Sequence, residues 1–236
     1  MPETRQNYPF KVAALYRFAR FDRHADFRQP LAALCCRLGI KGTLILASEG
    51  INGTIAGKPE AVDEVVAYLY AIPELEGMEI KFSHALVMPF HRMKLKLKKE
   101  IVTMGVPGTD PLSVVGTYVD PKDWNALIAD PDTVVIDTRN DYEFKVGSFE
   151  NAIDPDTKAF TEFPDWLRQR KDELAGKKVA MFCTGGIRCE KAAIVMQQMG
   201  VANSAQLEGG ILGYFEATQG RAPGWHGDSW RAYRCP

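Results

Sequence analysis

Apolar residues in the first hundred positions follow two rhythms, which predict strands and helices. Short apolar runs are typical of strands, whereas apolar residues repeated every three or four positions are typical of helices. The predicted strands are 11–18, 42–47, 51–56, 78–83 and 93–101, and the predicted helices are 26–38 and 59–69. The order is therefore β-α-β-β-α-β, followed by one more strand.

Beyond residue 118 the pattern changes to short strands that alternate with helices. The predicted strands are 133–137, 178–182 and 205–207, and the predicted helices are 123–128, 163–174 and 189–200. Strands separated by helices form parallel sheets, because each helix carries the chain back across one face of the sheet. This half is therefore predicted to be an α/β domain with a parallel sheet.

These two rhythms divide the chain into two predicted domains. Residues 1–103 form an α+β domain, whose element order is typical of a ferredoxin-like fold with helices on an antiparallel sheet. Residues 118–236 form the α/β domain. The intervening residues 104–117 contain several glycines and prolines, which favour turns, and are predicted to be a linker.

The composition is that of a globular protein. The chain has 236 residues, a net charge of -1, 46% hydrophobic and 25% charged residues, which excludes a disordered chain. No apolar run approaches the roughly 18 residues of a membrane helix, so no membrane contact is predicted. The first residues are polar and carry both charge signs, unlike a signal peptide, so a cytoplasmic location is predicted.

Cysteine and histidine residues show no metal-binding pattern. The five cysteines include no Cys-x-x-Cys pair, and the four histidines are scattered along the chain. Structural zinc sites need closely spaced ligand pairs, so no bound metal is predicted. Cys35 and Cys36 lie on the helix predicted at 26–38 and are assigned to packing.

Cys183 is the strongest candidate for a catalytic residue. It follows a predicted strand and precedes a predicted helix, which places it at the ligand-binding edge of a parallel sheet. The backbone amides after it are predicted to form an anion-binding cradle, contributed by Thr184, Gly185, Gly186, Ile187 and Arg188. These donors and the Arg188 charge favour a nucleophilic thiolate. The alternative, a small buried hydrophobic residue, does not explain why strand, cysteine, glycines, arginine and helix coincide.

The length of this loop separates two chemistries. Four residues lie between Cys183 and Arg188, which is short for cradling a phosphate as protein-tyrosine phosphatases do, and which fits the smaller loop of rhodaneses. A second cysteine, Cys189, follows at the start of the helix. It is able to resolve an oxidised Cys183 as a disulfide, but packing in the first helical turn is the preferred interpretation.

A basic stripe in the first domain is a candidate RNA-binding surface. On a strand, alternate side chains share one face, and the residues on the basic face are Arg92, Lys94, Lys96 and Lys98. Such a stripe suits a phosphate backbone, and it equally suits an edge strand protected from aggregation by lysines. In the second domain, Arg139 is a candidate for orienting a substrate phosphate, while Asp137 and Glu143 are assigned to local structural roles.

Three segments of the second half resemble a rhodanese domain between residues 118 and 215. The segment VVIDTRNDYEFKVGSFENAI matches the first motif of that family, the Cys183 loop matches its active-site loop, and LEGGILGYFE matches through Gly209 and Gly210. Together with GTLILASEGINGTIAG at 42–57 and DPDTKAFTEFPDW at 154–166, these segments resemble the bacterial oxygen-dependent tRNA uridine hydroxylases.

The resemblance implies a fold and an activity. The family places an acylphosphatase-like domain before a rhodanese domain and hydroxylates C5 of the wobble uridine, so the expected partner is the anticodon region of tRNA. Molecular oxygen is the expected co-substrate and Cys183 the required cysteine. No bound cofactor and no obligate protein partner are predicted. Members normally continue into a further cysteine-containing segment, which we expect to be missing here.

Two other functions remain open on the residues alone. A rhodanese-type sulfurtransferase acting through a Cys183 persulfide needs only the same thiolate and amide cradle. A non-enzymatic RNA-binding module would need the basic stripe but not the cysteine.

Overall fold

The computed structural model describes residues 8–113, 116–219 and 223–227. Among these residues the chain divides after Ile101 into two compact units, called the first and second unit below. Residues 104–117 contain no helix or strand before Thr117 in the part that is described, but Met104 is buried in a core of the second unit.

A five-stranded sheet forms the first unit. Its elements are β1 (Phe10–Phe18), α1 (Arg28–Arg37), β2 (Lys41–Ala47), β3 (Gly50–Gly57), α2 (Pro59–Tyr70), β4 (Glu79–Ala85) and β5 (Met93–Leu97). The strand order is β4-β1-β3-β2-β5. Neighbours among the first four strands are antiparallel, which confirms the ferredoxin-like arrangement, whereas β5 runs parallel to β2 at the edge.

The core of the first unit follows from the apolar spacing of its helices. In α2, Val62, Val65 and Leu69 recur at intervals of three and four residues and are all buried. They pack in one cluster with residues of the sheet and of α1, such as Leu44 and Leu31. The helical period in the sequence therefore marks the buried face directly.

The second unit is an α/β domain around a parallel sheet. Its elements are β6 (Thr117–Val119), α3 (Pro121–Ile128), β7 (Thr133–Asp137), α4 (Asp141–Val146), β8 (Gly147–Phe149), α5 (Phe163–Leu174), β9 (Lys178–Phe182), α6 (Ile187–Gln198), β10 (Ser204–Leu207), α7 (Gly210–Ala217) and β11 (Trp225–Gly227). The parallel strands run in the order β6-β10-β9-β7, and β8 pairs with β11 in a separate antiparallel ribbon. This confirms the predicted parallel sheet.

Strand β9 is buried on both faces, and its alternating side chains enter two different cores. Val179 and Met181 point into the cluster that contains α5 and α6. Ala180 and Phe182 point into the cluster that contains α3 and α7. Because the period of a strand is two, Cys183 continues the first set and lies on the α6 side of the sheet. Across the described ranges, no helix is long and apolar enough to cross a membrane.

Candidate active site

Cys183 lies where β9 ends, directly before the turn that opens α6. Its sulfur accepts a hydrogen bond from the backbone amide of Gly186 at 3.1 Å. Gly186 has a φ of 101°, a backbone conformation that glycine adopts without the steric cost of a side chain. Cys183 has no exposed surface, so its sulfur is covered by the surrounding residues and does not contact solvent.

The surroundings of the Cys183 thiol stabilise its deprotonated form. Burial by itself raises the pKa of the thiol, but donors and charge outweigh this effect and lower the pKa to about 6. The lowering comes from the Cys189 side chain, the Arg188 charge, and the backbone amides of Arg188 and Cys189. The amides that reach the sulfur are therefore those of Gly186, Arg188 and Cys189, and the last of these was not among the predicted cradle residues.

A pH titration measures this effect directly. We expect the thiolate absorbance of wild-type protein, corrected with a Cys183→Ala variant, to be half developed at about pH 6. Because the folded-state pKa is depressed, the thiolate persists above this pH and is lost as the pH falls through it. A midpoint at the roughly 8.5 of an ordinary cysteine would show that the loop does not stabilise the anion.

The N-terminus of α7 holds the carbonyl side of the same loop. The Ile211 amide donates to the Cys183 carbonyl at 2.9 Å, and the Leu212 amide donates to the Thr184 carbonyl at 3.1 Å. The two backbone segments approach so closely that a Cβ on Gly210 would lie 2.5 Å from the Cys183 carbonyl oxygen. Glycine at position 210, the first residue of α7, is therefore required by close backbone contact with the cysteine loop.

An ion pair from α4 fixes the far end of the loop. Arg188 donates to both carboxylate oxygens of Glu143, at 2.6 Å and 2.9 Å, and the Thr184 hydroxyl donates to the same carboxylate at 2.8 Å. Burial raises the pKa of Glu143, but the bonds from Arg188 and Thr184 outweigh it and leave the pKa lowered. The expected local role of Glu143 is confirmed, since its carboxylate accepts from the Asn140 amide in the capping box of α4. The same carboxylate also positions the loop arginine.

Arg139 is not available to a substrate, which corrects its assignment as an RNA or phosphate contact. The residue is fully buried, and its guanidinium donates to Asp137 at 2.9 Å and 2.6 Å and to the Gly147 carbonyl at 2.6 Å. The Ser148 hydroxyl completes the bonding of the Asp137 carboxylate at 2.9 Å. Arg139 therefore joins the end of β7 to β8, because a buried charge is stable only when it is paired.

Removing Arg139 tests this structural role. An Arg139→Met variant is expected to lose about 3–5 kcal/mol of unfolding free energy, since Asp137 is left as a buried charge without its partner. Urea unfolding measures the loss. An Arg168→Gln variant, which breaks an exposed pair with Asp165, serves as the control and is expected to change stability by at most about 1 kcal/mol. A similar small change for Arg139→Met would contradict the assignment.

The basic stripe lies along edge strand β5 of the first unit. Its four members are exposed, namely Arg92, Lys94, Lys96 and Lys98. Met93 and Leu95 pack against the core on the opposite face, whereas Leu97, which was predicted to point inwards, is 42% exposed. The alternation predicted for the strand is therefore present over most of its length. Its edge position is compatible with both the RNA-binding and the edge-protecting interpretations.

Comparison with known proteins identifies both units. Residues 10–101 match a family model described as UPF0176 acylphosphatase like domain, and residues 120–217 match the rhodanese-like domain. A tRNA uridine(34) hydroxylase of Brucella anthropi is 59% identical over 94% of this chain and 73% of its own length, and one from Brucella ovis has the same values. The chain belongs to the tRNA uridine(34) hydroxylase family. The resemblance drawn from the sequence motifs is confirmed.

Two solved structures are similar to parts of this tRNA uridine(34) hydroxylase family member. A rhodanese-related protein from Thermoplasma volcanium is 27% identical and covers 43% of this chain and 92% of its own, with a TM-score of 0.34. An acylphosphatase from Coxiella burnetii is 12% identical and covers 41% of this chain and all of its own, with a TM-score of 0.28.

Sequence reasoning missed three contributors to the site of this hydroxylase-family chain. They are the Glu143 carboxylate on Arg188, the Cys189 amide at the thiolate, and Thr138, whose Oγ1 lies 3.5 Å from the Cys189 sulfur. Glu143 and Arg188 are 45 positions apart, and no short-range pattern pairs them. Within the described ranges, no group of three histidine, cysteine, aspartate or glutamate residues is arranged to hold a metal ion.

Proposed function

We propose that this protein hydroxylates C5 of uridine 34, the wobble position of tRNA, with molecular oxygen as co-substrate and Cys183 as the reacting residue. The observation that carries the proposal is a buried, hydrogen-bonded Cys183 thiolate in a chain of the tRNA uridine(34) hydroxylase family. The enzyme is accordingly an oxidoreductase that modifies tRNA in the cytoplasm.

Each part of the Cys183 loop has a role in this reaction. The thiolate is the electron-rich atom, because a thiolate rather than a thiol reacts as a nucleophile and is oxidised. The amides of Gly186, Arg188 and Cys189 hold negative charge on sulfur. The Arg188–Glu143 pair, with side chains only 14% and 12% exposed, fixes the cation beside the sulfur at any pH at which the enzyme works.

Burial of Cys183 favours a route in which the sulfur carries oxygen. A direct bond between sulfur and the pyrimidine ring requires contact between the ring and an atom that has no exposed surface. Dioxygen is much smaller than a pyrimidine and reaches a buried sulfur more readily. Oxygen bound to sulfur then extends towards the base and brings the reacting atom outwards. The competing route, a covalent adduct of Cys183 with the ring, requires a larger rearrangement of the loop.

We propose that the basic stripe on β5 binds the anticodon region of tRNA. Enzymes that act on one base take it out of its stack and hold the neighbouring backbone, and a row of exposed lysines suits the phosphates. A double Lys94→Gln, Lys96→Gln variant is expected to weaken tRNA binding by about tenfold at low salt and to flatten the salt dependence by about two units of slope. Fluorescence anisotropy at several salt concentrations measures both.

A matched pair of basic residues on α5 provides the control for this experiment. An Arg168→Gln, Arg170→Gln variant removes the same charge, also two residues apart, from side chains that are 59% and 46% exposed. Its tRNA affinity is expected to stay within about twofold of wild type. If both double variants lose the same affinity, net charge rather than the stripe binds tRNA.

Nucleoside mass spectrometry of cellular tRNA tests the function itself. A deletion strain is expected to lack nucleosides derived from 5-hydroxyuridine and to regain them when the wild-type chain is expressed. Unchanged hydroxylated nucleosides in the deletion strain, with no other hydroxylase gene expressed, would contradict the proposal.

Sulfur transfer is the second candidate function, and the match of residues 120–217 to a rhodanese-like domain favours it. A persulfide on Cys183 would be stabilised by the same amides and by Arg188. This function predicts that a thiolated nucleoside, or thiocyanate formed from thiosulfate and cyanide, depends on Cys183 while 5-hydroxyuridine does not.

A further inference from the structure

A second thiol lies in the same buried cluster as Cys183, and the reaction described above gives its sulfur no role. Cys189 lies in the first turn of α6 with no exposed surface and belongs to the same buried cluster as Cys183. Gly186 links the two residues, because its amide donates to the Cys183 sulfur at 3.1 Å and its carbonyl accepts from the Cys189 amide at 2.9 Å. Thr138 holds Cys189 from the other side, with its Oγ1 3.5 Å from the Cys189 sulfur. The same hydroxyl donates to the Phe182 carbonyl at 2.9 Å, which ties the pair to the end of β9.

The two sulfurs differ in protonation state. Burial and the neighbouring Cys183 sulfur raise the pKa of Cys189 well above that of an ordinary thiol, while the pKa of Cys183 is lowered. The pair therefore holds one proton, which is on Cys189, close to the Cys183 thiolate. A thiolate that is oxidised and a protonated thiol beside it are the two components of a disulfide-forming pair.

Hydroxylation by dioxygen has an electron requirement that the substrate meets only in part. Converting a C–H bond to C–OH removes two electrons from the uracil ring, whereas reducing both oxygen atoms of dioxygen takes four. Two more electrons must come from another group. Two thiols supply two electrons when they become one disulfide.

We propose that Cys183 and Cys189 together supply these two electrons and end each turnover as an intramolecular disulfide, with Cys189 as the resolving residue. The inference rests on the proposed function and adds the electron source for the same site. A dithiol reductant returns the disulfide to two thiols before the next turnover.

The atoms and electrons balance in two steps. In the first, the Cys183 thiolate, dioxygen, the C5–H of uridine and one proton from water give a Cys183 sulfenic acid and C5–OH. The O–O bond breaks, one oxygen goes to carbon and one to sulfur, and carbon and sulfur are each oxidised by two electrons. In the second, the Cys189 sulfur attacks the Cys183 sulfur, the S–O bond breaks, an S–S bond forms, and the hydroxyl leaves as water with the Cys189 proton.

A single-turnover experiment on the full chain tests the pairing. The protein is reduced, freed of reductant, and mixed with excess unmodified tRNA in air-saturated buffer; free thiols are then alkylated in acid. Trypsin cuts after Lys178, Arg188 and Lys191, so the two cysteines fall on separate peptides that only a disulfide joins. We expect about one 5-hydroxyuridine per chain and about one joined peptide pair per 5-hydroxyuridine. Added dithiothreitol is expected to restore repeated turnover.

Three controls make the outcomes distinguishable. Without oxygen or without tRNA, the joined peptides are expected not to accumulate. A Cys36→Ser variant, which removes an exposed thiol of the first unit, is expected to give wild-type yields. A Cys189→Ala variant is expected to form no joined peptides and to leave Cys183 as a sulfenic acid that dimedone traps.

Different failures overturn different statements. If 5-hydroxyuridine forms and both cysteines are afterwards found alkylated, they stayed reduced during turnover. The inference is then wrong and the proposed function stands, because another reductant supplies the electrons. If the wild-type chain forms no 5-hydroxyuridine under any reducing condition, the proposed function is overturned and the inference with it. Both outcomes are measured on the wild-type protein, so the test remains valid even if the Cys189→Ala variant does not fold.

Discussion

A Cys183→Ala variant is expected to lose tRNA hydroxylation by about a thousandfold or more while remaining folded. The reason is that alanine offers no sulfur to carry oxygen. The neighbouring Cys189 does not replace it, because burial raises the pKa of its thiol and keeps it protonated. The cost in stability is small, because the change removes one buried atom and also removes a buried negative charge. Mass spectrometry of tRNA incubated with each purified protein measures the activity, and thermal unfolding checks the fold.

Cys36→Ser is the matched control for the loss of a thiol. Cys36 is exposed on α1 of the first unit, so its replacement is expected to leave hydroxylation within about twofold of wild type. Equal activity in the Cys183→Ala and wild-type proteins would show that the loop cysteine takes no part in the chemistry.

A Gly210→Ala variant is expected to lose about 2–4 kcal/mol of stability and about a hundredfold in activity. The added Cβ would lie 2.5 Å from the Cys183 carbonyl oxygen, 2.7 Å from that of Thr184 and 2.8 Å from the Gly186 nitrogen. Since these are backbone atoms, the loop itself must move away. That movement separates the Gly186 amide from the sulfur that it stabilises.

A Gly200→Ala variant distinguishes the effect of this clash from the effect of backbone strain alone. Gly200 has a φ of +87° with no atom within 4 Å of an added Cβ, whereas Gly210 has a φ of +59° and a crowded site. Both substitutions carry the roughly 1–2 kcal/mol cost of a left-handed residue, but only Gly210→Ala is expected to reduce hydroxylation. Urea unfolding and activity assays compare the two. Equal activity in both variants would show that α7 does not position the loop.

Regular elements of the fold were predictable wherever a long apolar pattern marked them. Helix α5 and strands β7 and β9 have the predicted bounds, because each combines a clear apolar period with flanking turn residues. The short elements α4, β8 and β11 span only three to six residues, which is too few for a period to show. Their positions depend on contacts with distant parts of the chain.

Predictions for the site also succeed where the information is local in sequence and fail where it depends on distant residues. The placement of Cys183 at the end of a strand and before a helix is local information, and the structure has it there. The burial and ion-pair partners of the charged residues are not local information. Arg139 and Arg188 both follow a strand and precede or open a helix, yet Arg139 is fully buried against Asp137 while Arg188 pairs with Glu143 beside the sulfur. Only the packing of α4 and β8 against the sheet distinguishes them.

Hydroxylation with isotopically labelled dioxygen tests whether Cys183 transfers oxygen from dioxygen to uridine 34. Purified wild-type and Cys183→Ala proteins are each incubated with unmodified tRNA, a dithiol reductant and labelled dioxygen in unlabelled water, and the nucleosides are weighed by mass spectrometry. We expect 5-hydroxyuridine at position 34 that carries the label from dioxygen and forms only with wild-type protein. A hydroxyl oxygen derived from water, or labelled product from the Cys183→Ala protein, would contradict this expectation.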